Sequence, residues 1–210
     1  MFEELDARTF DRIQSEGRVY GVVVMRVIAS TLKGRRLQAP DWPGLRPTSD
    51  KLRETLFNVI ATRVPGARVL DGYAGTGAVG IEALSRGAVH VTFVERDPRA
   101  VRLVESNLAA CGVSDRYAII RAGFAETERL LAGDAFDVIF LDPPYGADEL
   151  AAAIAAASPL VSPGTLLVIE HARRDATPDG TAMLVRTREL TSGDSALAFY
   201  RKREPSQVQA

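Results

Sequence analysis

From Ala67 to Glu170 the chain repeats one pattern, a short apolar run followed by a stretch with helical spacing. The runs are "ARVLD", "VHVTFVE", "YAII", "FDVIFLD" and "TLLVIE"; between them lie "GAVGIEALSRG", "DPRAVRLVESNLAACG", "ETERLLAG" and "ADELAAAIAAAS". Strands joined through helices re-enter a sheet in the same direction, so the pattern predicts an α/β fold with a parallel sheet covered on both faces. Stop and start residues agree. Gly87 closes the first of these helices, Asp97 is a natural N-cap for the next, Pro98 takes its first position and Gly112 follows its end. Towards the C-terminus the rhythm breaks, because "AMLVRTREL" and "ALAFYRKRE" flank "TSGDS" and predict an antiparallel hairpin that brings the sheet to seven strands. Upstream, "MRVIASTLKGRRLQAP" predicts two short strands around a Lys33-Gly34 turn, a small β-hairpin appendage. Leu52, Leu56, Val59 and Ile60 then share one helical face, with Ser49 or Asp50 as cap, in a helix expected to cover the flank or edge of the sheet. The expected organisation is an extension over 1–24, a hairpin segment over 25–47, one catalytic-size domain over 48–203 and a tail over 204–210.

Composition narrows the function classes. With 210 residues, 46% hydrophobic and 25% charged, the chain can bury one sizeable core but not two. Its net charge of −1 means that any contact with nucleic acid must rest on a local basic patch. Cys111 is the single cysteine, so no internal disulfide forms, no metal-ligand cluster surrounds it, and no metal is expected. The acidic start "MFEELDARTF" is no signal peptide, and no apolar stretch approaches the roughly 20 residues that span a bilayer. A soluble, cytoplasmic protein is expected.

Ligands of open parallel sheets sit beyond the carboxyl ends of the strands, and three strand ends here carry unusual residues. In "VLDGYAGTGAVG", Gly75, Gly77 and Gly80 satisfy GxGxxG, but Asp71 closes the strand and Gly72, Tyr73 and Ala74 intervene before Gly75. Dinucleotide-binding glycine loops normally follow the strand almost at once. An acid at the tip would repel a pyrophosphate yet could hold the ammonium group of an amino-acid moiety, which points to S-adenosylmethionine. The second tip is "FVERD", whose Glu95 stands 20 residues after Gly75 and suits a pair of ribose hydroxyls. The third is "FLDPPY". Pro143 and Pro144 remove two amide donors and fix φ, so the chain leaves the sheet as a stiff arm with free carbonyls. Asp142 adds carboxylate oxygens and Tyr145 a flat π-face, a set that fits an amino group on a flat ring.

Together "LDGYAGTG", "VERD" and "LDPPY" resemble the class I S-adenosylmethionine-dependent methyltransferases that act on exocyclic or amide nitrogens, which have a Rossmann-like fold. A narrower likeness comes from "RVIASTLKGRRL", "LRPTSDKLRETLFN", "DGYAGTGAVGIEALSRGA", "FVERD", "FLDPPY" and "ALAFYRKRE", which in that order resemble the RsmD family of 16S ribosomal RNA guanine-N2 methyltransferases over residues 25 to 203. Ser30 departs from the glycine common in that hairpin, "RAGFAE" lacks the Asp often placed near the adenine, and Met25 falls where such chains often begin. The resemblance implies S-adenosylmethionine as cofactor, with contacts from Asp71, Tyr73, Ala74, Gly75, Gly77, Glu95, Arg96, Gly123 and Phe124. It implies that Asp142, Pro143, Pro144 and Tyr145 orient the target amine, with no covalent nucleophile and with Asp142 acting more by orientation and charge than as a frank base. The implied partner is 16S rRNA within the small ribosomal subunit or an assembly intermediate, met by a monomer without membrane contact.

Residues 25 to 53 carry a local excess of five positive charges, so Arg26, Lys33, Arg35, Arg36, Arg46, Lys51 and Arg53 are expected to face phosphates. Trp42 suits either a base stack or a lid over the first helix. Three other readings stay open at this point: DNA adenine-N6 methylation, an NAD-dependent oxidoreductase, and a non-catalytic assembly factor.

Overall fold

The computed structural model describes residues 25–42, 48–127 and 129–204. The extension expected over 1–24, the cation Arg46 and the end of the tail lie outside them. Seven strands form one sheet: β3 (Arg68–Asp71), β4 (His90–Val94), β5 (Tyr117–Ile120), β6 (Val138–Leu141), β7 (Leu166–Ala172), β8 (Leu184–Ser192) and β9 (Ser195–Lys202). They lie in the order β5-β4-β3-β6-β7-β9-β8. The first five are parallel, and β9 runs antiparallel to both β7 and β8, as the C-terminal turn residues predict. Helices α1 (Asp50–Val59), α2 (Ala78–Ser85), α3 (Pro98–Ala110) and α4 (Ala147–Ala157) pack against it.

Strand periodicity divides the core in two. On β6, Val138 and Phe140 join the cluster beneath α1, α2 and α3, while Ile139 and Leu141 join the one beneath α4. Successive side chains point to opposite faces and both faces are covered, which is why these strands are continuously apolar. Chain order places β4 and β5 on one side of β3 and β6 on the other. The crevice of such a sheet opens at that reversal, between the tips of β3 and β6.

Helix caps follow the sequence. The Ser49 hydroxyl accepts from the Leu52 amide at 3.2 Å, and the Asp97 carboxylate accepts from the Arg99 amide at 2.8 Å. Among the described residues no α-helix forms over "ETERLLAG". In its place a 3-10 turn covers Phe124–Glu126, and the Thr127 hydroxyl donates to the Phe124 carbonyl at 2.6 Å. A segment this short, ended by Gly133 at φ +91, is marginal as a helix without strong tertiary support.

The N-terminal hairpin forms, but its strands β1 (Met25–Arg26) and β2 (Arg36–Leu37) are only two residues each. Val27 extends the pairing by bonding to Gly34 and Arg35, and part of the backbone between them bonds to α2. The buried Glu82 carboxylate accepts from the amides of Ile28 (2.7 Å) and Ala29 (3.1 Å), and Ser85 bonds both Ala29 and Leu32. Ser30 sits at φ +66, a left-handed conformation that glycine adopts more readily than serine.

Candidate active site

On the β3 side the glycine loop is held by close packing and by an acid. Gly72 follows the strand directly, and a Cβ there would lie 2.3 Å from the Leu141 side chain and 2.8 Å from the Phe124 ring. Gly75, at φ +55, turns its amide towards Glu95, whose Oε2 accepts from it at 2.9 Å while Oε1 accepts from the Asp97 amide at 2.8 Å. Each oxygen keeps a lone pair for a hydroxyl donor. Asp71 lies deeper, 1% exposed, and accepts from the Gly80 amide at 3.0 Å. Burial lifts its carboxyl to about 7 against the pull of that amide, and the charges of Asp142 and Glu95 add to the lift. Phe124, also buried, packs its ring 5.5 Å from that of Tyr73.

The β6 side is held by side chains. Asp142 Oδ2 accepts from the Thr48 hydroxyl at 3.2 Å, and a further hydrogen bond joins Asp142 to Glu170 on β7. Burial raises the Asp142 carboxyl to about 6, with both hydrogen bonds opposing the rise. Pro143 and Pro144 carry the chain away from the sheet to Tyr145, which is 41% exposed and has its hydroxyl 3.2 Å from Ser195 Oγ at the start of β9.

Both sides open into one cleft of about 1050 Å³. It gathers Asp71, Tyr73, Ala74, Gly75, Glu95, Arg96, Gly123 and Phe124 with Asp142, Pro143, Pro144 and Tyr145. Gly77 is not part of the lining; it caps α2 at φ +76 with Val104 packed beside it. Glu170, Thr48, Asp194 and Ser195 line the cleft without having been singled out, and Ser49, expected only as a helix cap, lines it too. For Glu170 the signal was present, since "TLLVIE" is a fourth apolar run ending in an acid.

The basic segment divides. Lys51 is exposed at the cleft wall. Arg53 is not a phosphate contact, because its side chain is fully buried, donating to the Arg26 carbonyl at 2.9 Å and pairing with Asp50 at 2.5 Å. Arg26, Lys33, Arg35 and Arg36 are exposed but outside the cleft. Thr31 and Leu32 bond to Ser85 at the far end of α2, whose near end contributes Ala78 and Val79 to the cleft; the hairpin tip therefore sits about 10 Å away along the helix. Trp42 lies at the cleft with the Arg99 guanidinium 5.1 Å from its ring centroid.

The donor set fits S-adenosylmethionine. The residues that hold the glycine loop are acids, Asp71 and Glu95, where a pyrophosphate would need cations. Glu95 has lone pairs for ribose hydroxyls, Asp71 can meet an ammonium group, and the buried Phe124 offers a wall for adenine. The Asp142 carboxylate faces the same cleft as an acceptor for an amine.

Comparison with known proteins finds rRNA methyltransferases among the relatives. A family model described as conserved hypothetical protein 95 matches residues 25–201. YlbH of Bacillus subtilis (strain 168), provisionally named an rRNA methyltransferase, is 39% identical over 186 residues, covering 85% of this chain and 100% of that protein. The ribosomal RNA small subunit methyltransferase D of Escherichia coli (strain K12) is 32% identical over 180 residues, covering 85% and 90%. The solved structure of a hypothetical protein from Thermus thermophilus superposes with a TM-score of 0.70 at 31% identity, covering 85% and 99%.

Proposed function

The chain belongs to the RsmD family, and from that premise we propose that it methylates the exocyclic 2-amino group of one guanine in small-subunit ribosomal RNA, using S-adenosylmethionine. The observation that carries this reading is the placement of the Asp142-Pro143 acceptor pair across one cleft from the glycine loop and Glu95. Asp71, Gly75, Glu95 and Phe124 would hold the cofactor, which supplies an already activated methyl group. The remaining task is to present the amine. Its lone pair is delocalised into the guanine ring, and N–H donation to Asp142 and to the Pro143 carbonyl favours the geometry in which it can attack. Asp142 also opposes the positive charge that develops on nitrogen. Tyr145, exposed at the mouth, can stack on a base turned out of its own stack.

Inosine in place of the target guanosine tests the acceptor atom. It deletes only the 2-amino group, so methyl incorporation into small-subunit particles reconstituted with inosine at that position should vanish while particle binding persists. Appreciable incorporation would move the acceptor to another atom, adenine N6 methylation of a different substrate being the nearest rival.

A further inference from the structure

We propose that Glu170 is a positioning residue that keeps its carboxyl proton at working pH and donates it to Asp142, fixing the Asp142 carboxylate as acceptor for the target amine. The inference rests on the amine-methylation reading given above.

Strands β6 and β7 are parallel with Leu141 opposite Ile169, so the next residues, Asp142 and Glu170, stand level on neighbouring strand ends. Glu170 is 4% exposed and lines the cleft, and its position level with Asp142 brings the two carboxyl groups within reach of a hydrogen bond to each other. Two carboxyl groups can hydrogen-bond to each other only when one of them carries a proton. The surroundings decide which. Asp142 is the less enclosed of the two and also accepts from the Thr48 hydroxyl, which favours its charged form. Glu170 lies deeper, where an ionised carboxylate loses most hydration. Around the pair, the cleft is lined by Asp71 from β3, Glu95 and Asp97 beyond β4, Glu126 after β5, Glu149 from α4 and Asp194 from the β8–β9 turn. Lys51 on α1 and Arg96 and Arg99 beyond β4 are the cations of the lining. That carboxylate excess favours one retained proton.

The division of roles suits the chemistry. The nitrogen forms its bond to the methyl carbon as the carbon–sulfur bond breaks, the sulfur keeps the electron pair, and the N–H proton passes to Asp142. A neutral Glu170 holds one Asp142 oxygen and leaves the other directed to the amine. An ionised Glu170 would repel Asp142 and could not donate to it.

Glu170→Gln and Glu170→Leu separate these cases, using the full chain, labelled S-adenosylmethionine and unmethylated small-subunit particles. Turnover of the native chain should rise with pH through about 6 as Asp142 ionises. Glu170→Gln keeps a donor and should follow the same profile within about threefold. Glu170→Leu removes the donor, so the rise should move to higher pH, giving a deficit of about tenfold near pH 6 that shrinks towards pH 8. A rise displaced to lower pH in either variant would mean that a negative charge had been removed, and the proposal would fail. A pH-independent loss in Glu170→Leu with unaltered S-adenosylhomocysteine binding, or Glu170→Gln behaving like Glu170→Leu, would also overturn it. Carbon-13 NMR of the substrate-free chain gives a separate readout: one glutamate carboxyl should remain protonated at neutral pH and be missing in Glu170→Gln. Its absence from the native chain overturns the inference whatever the substrate. If the native chain methylates no particle but the NMR signal is present, the functional reading fails and the protonated Glu170 stands.

Discussion

On the β3–β4 side of the cleft both carboxylates are gripped by backbone, Glu95 by the amides of Gly75 and Asp97 and Asp71 by that of Gly80. On the β6–β7 side Asp142 is gripped by side chains, the Thr48 hydroxyl and Glu170. Backbone amides are fixed once the loop has folded, so the first pair forms part of the loop's own structure. Side-chain donors can be traded or titrated without unfolding anything. The first side therefore suits a ligand that must sit in one place, and the second a partner that must change its protonation during a reaction.

The sharpest way to break this comparison is to remove the acceptor. Asp142→Ala should cut turnover by about 10²- to 10⁴-fold while S-adenosylhomocysteine binding, measured by calorimetry, falls less than about threefold. Abolished cofactor binding in a folded Asp142→Ala protein would show that the two sides are not separate.

Glu95→Ala should do the reverse. It frees two amides and removes the acceptor proposed for ribose, so S-adenosylhomocysteine affinity should fall by about fiftyfold, corresponding to one charge-assisted hydrogen bond and some loop order. Turnover at saturating cofactor should stay within a few-fold of native. A large loss of saturated turnover would place Glu95 in the chemical step.

The hairpin lies outside both sides, which makes it a control. Replacing Lys33, Arg35 and Arg36 together by alanine should leave S-adenosylhomocysteine affinity unchanged and raise the KM for the particle by about twentyfold. The slope of log affinity against log salt should flatten by about 2 to 3, the counterions that three phosphate contacts release. An unchanged slope would mean that the RNA path does not cross the hairpin.

What the residues disclosed and what they withheld divide along similar lines. The parallel strands were legible because strands buried on both faces must be continuously apolar, and the helix ends because Ser49, Asp97, Pro98 and Gly112 do their work locally. The three acidic tips were legible because each interrupts an apolar run. The burial of Arg53 was not, since a charged residue in a basic segment looks the same whether it reaches phosphate or a carbonyl 27 residues away. The distance of Lys33 and Arg35 from the cleft was equally hidden, because it depends on Glu82 and Ser85 taking the hairpin backbone along α2. Glu170 was missed for a different reason. Its acid-ended run was visible, but a role for it emerges only when β7 is known to lie beside β6.

The smallest expected effect concerns pH on the cofactor side. Asp71 is held at about 7 instead of its ordinary 3.8, chiefly by burial. A raised carboxyl favours the protonated folded state, so its contribution to stability is full below its ordinary value and is lost as pH rises through about 7. Binding has the opposite sign, because only the ionised form attracts an ammonium group. The ionised fraction grows from about one tenth at pH 6 to about nine tenths at pH 8, so S-adenosylhomocysteine affinity should improve by about ninefold across that range and then level off. Calorimetry in two buffers of different ionisation enthalpy should show proton release on binding near pH 6. Asp71→Asn should abolish both the release and the pH dependence while preserving the fold, since an amide oxygen can still accept from Gly80. Persistence of the pH dependence in that variant would assign it to another carboxylate of the cleft, and the ammonium group would then need a different partner from Asp71.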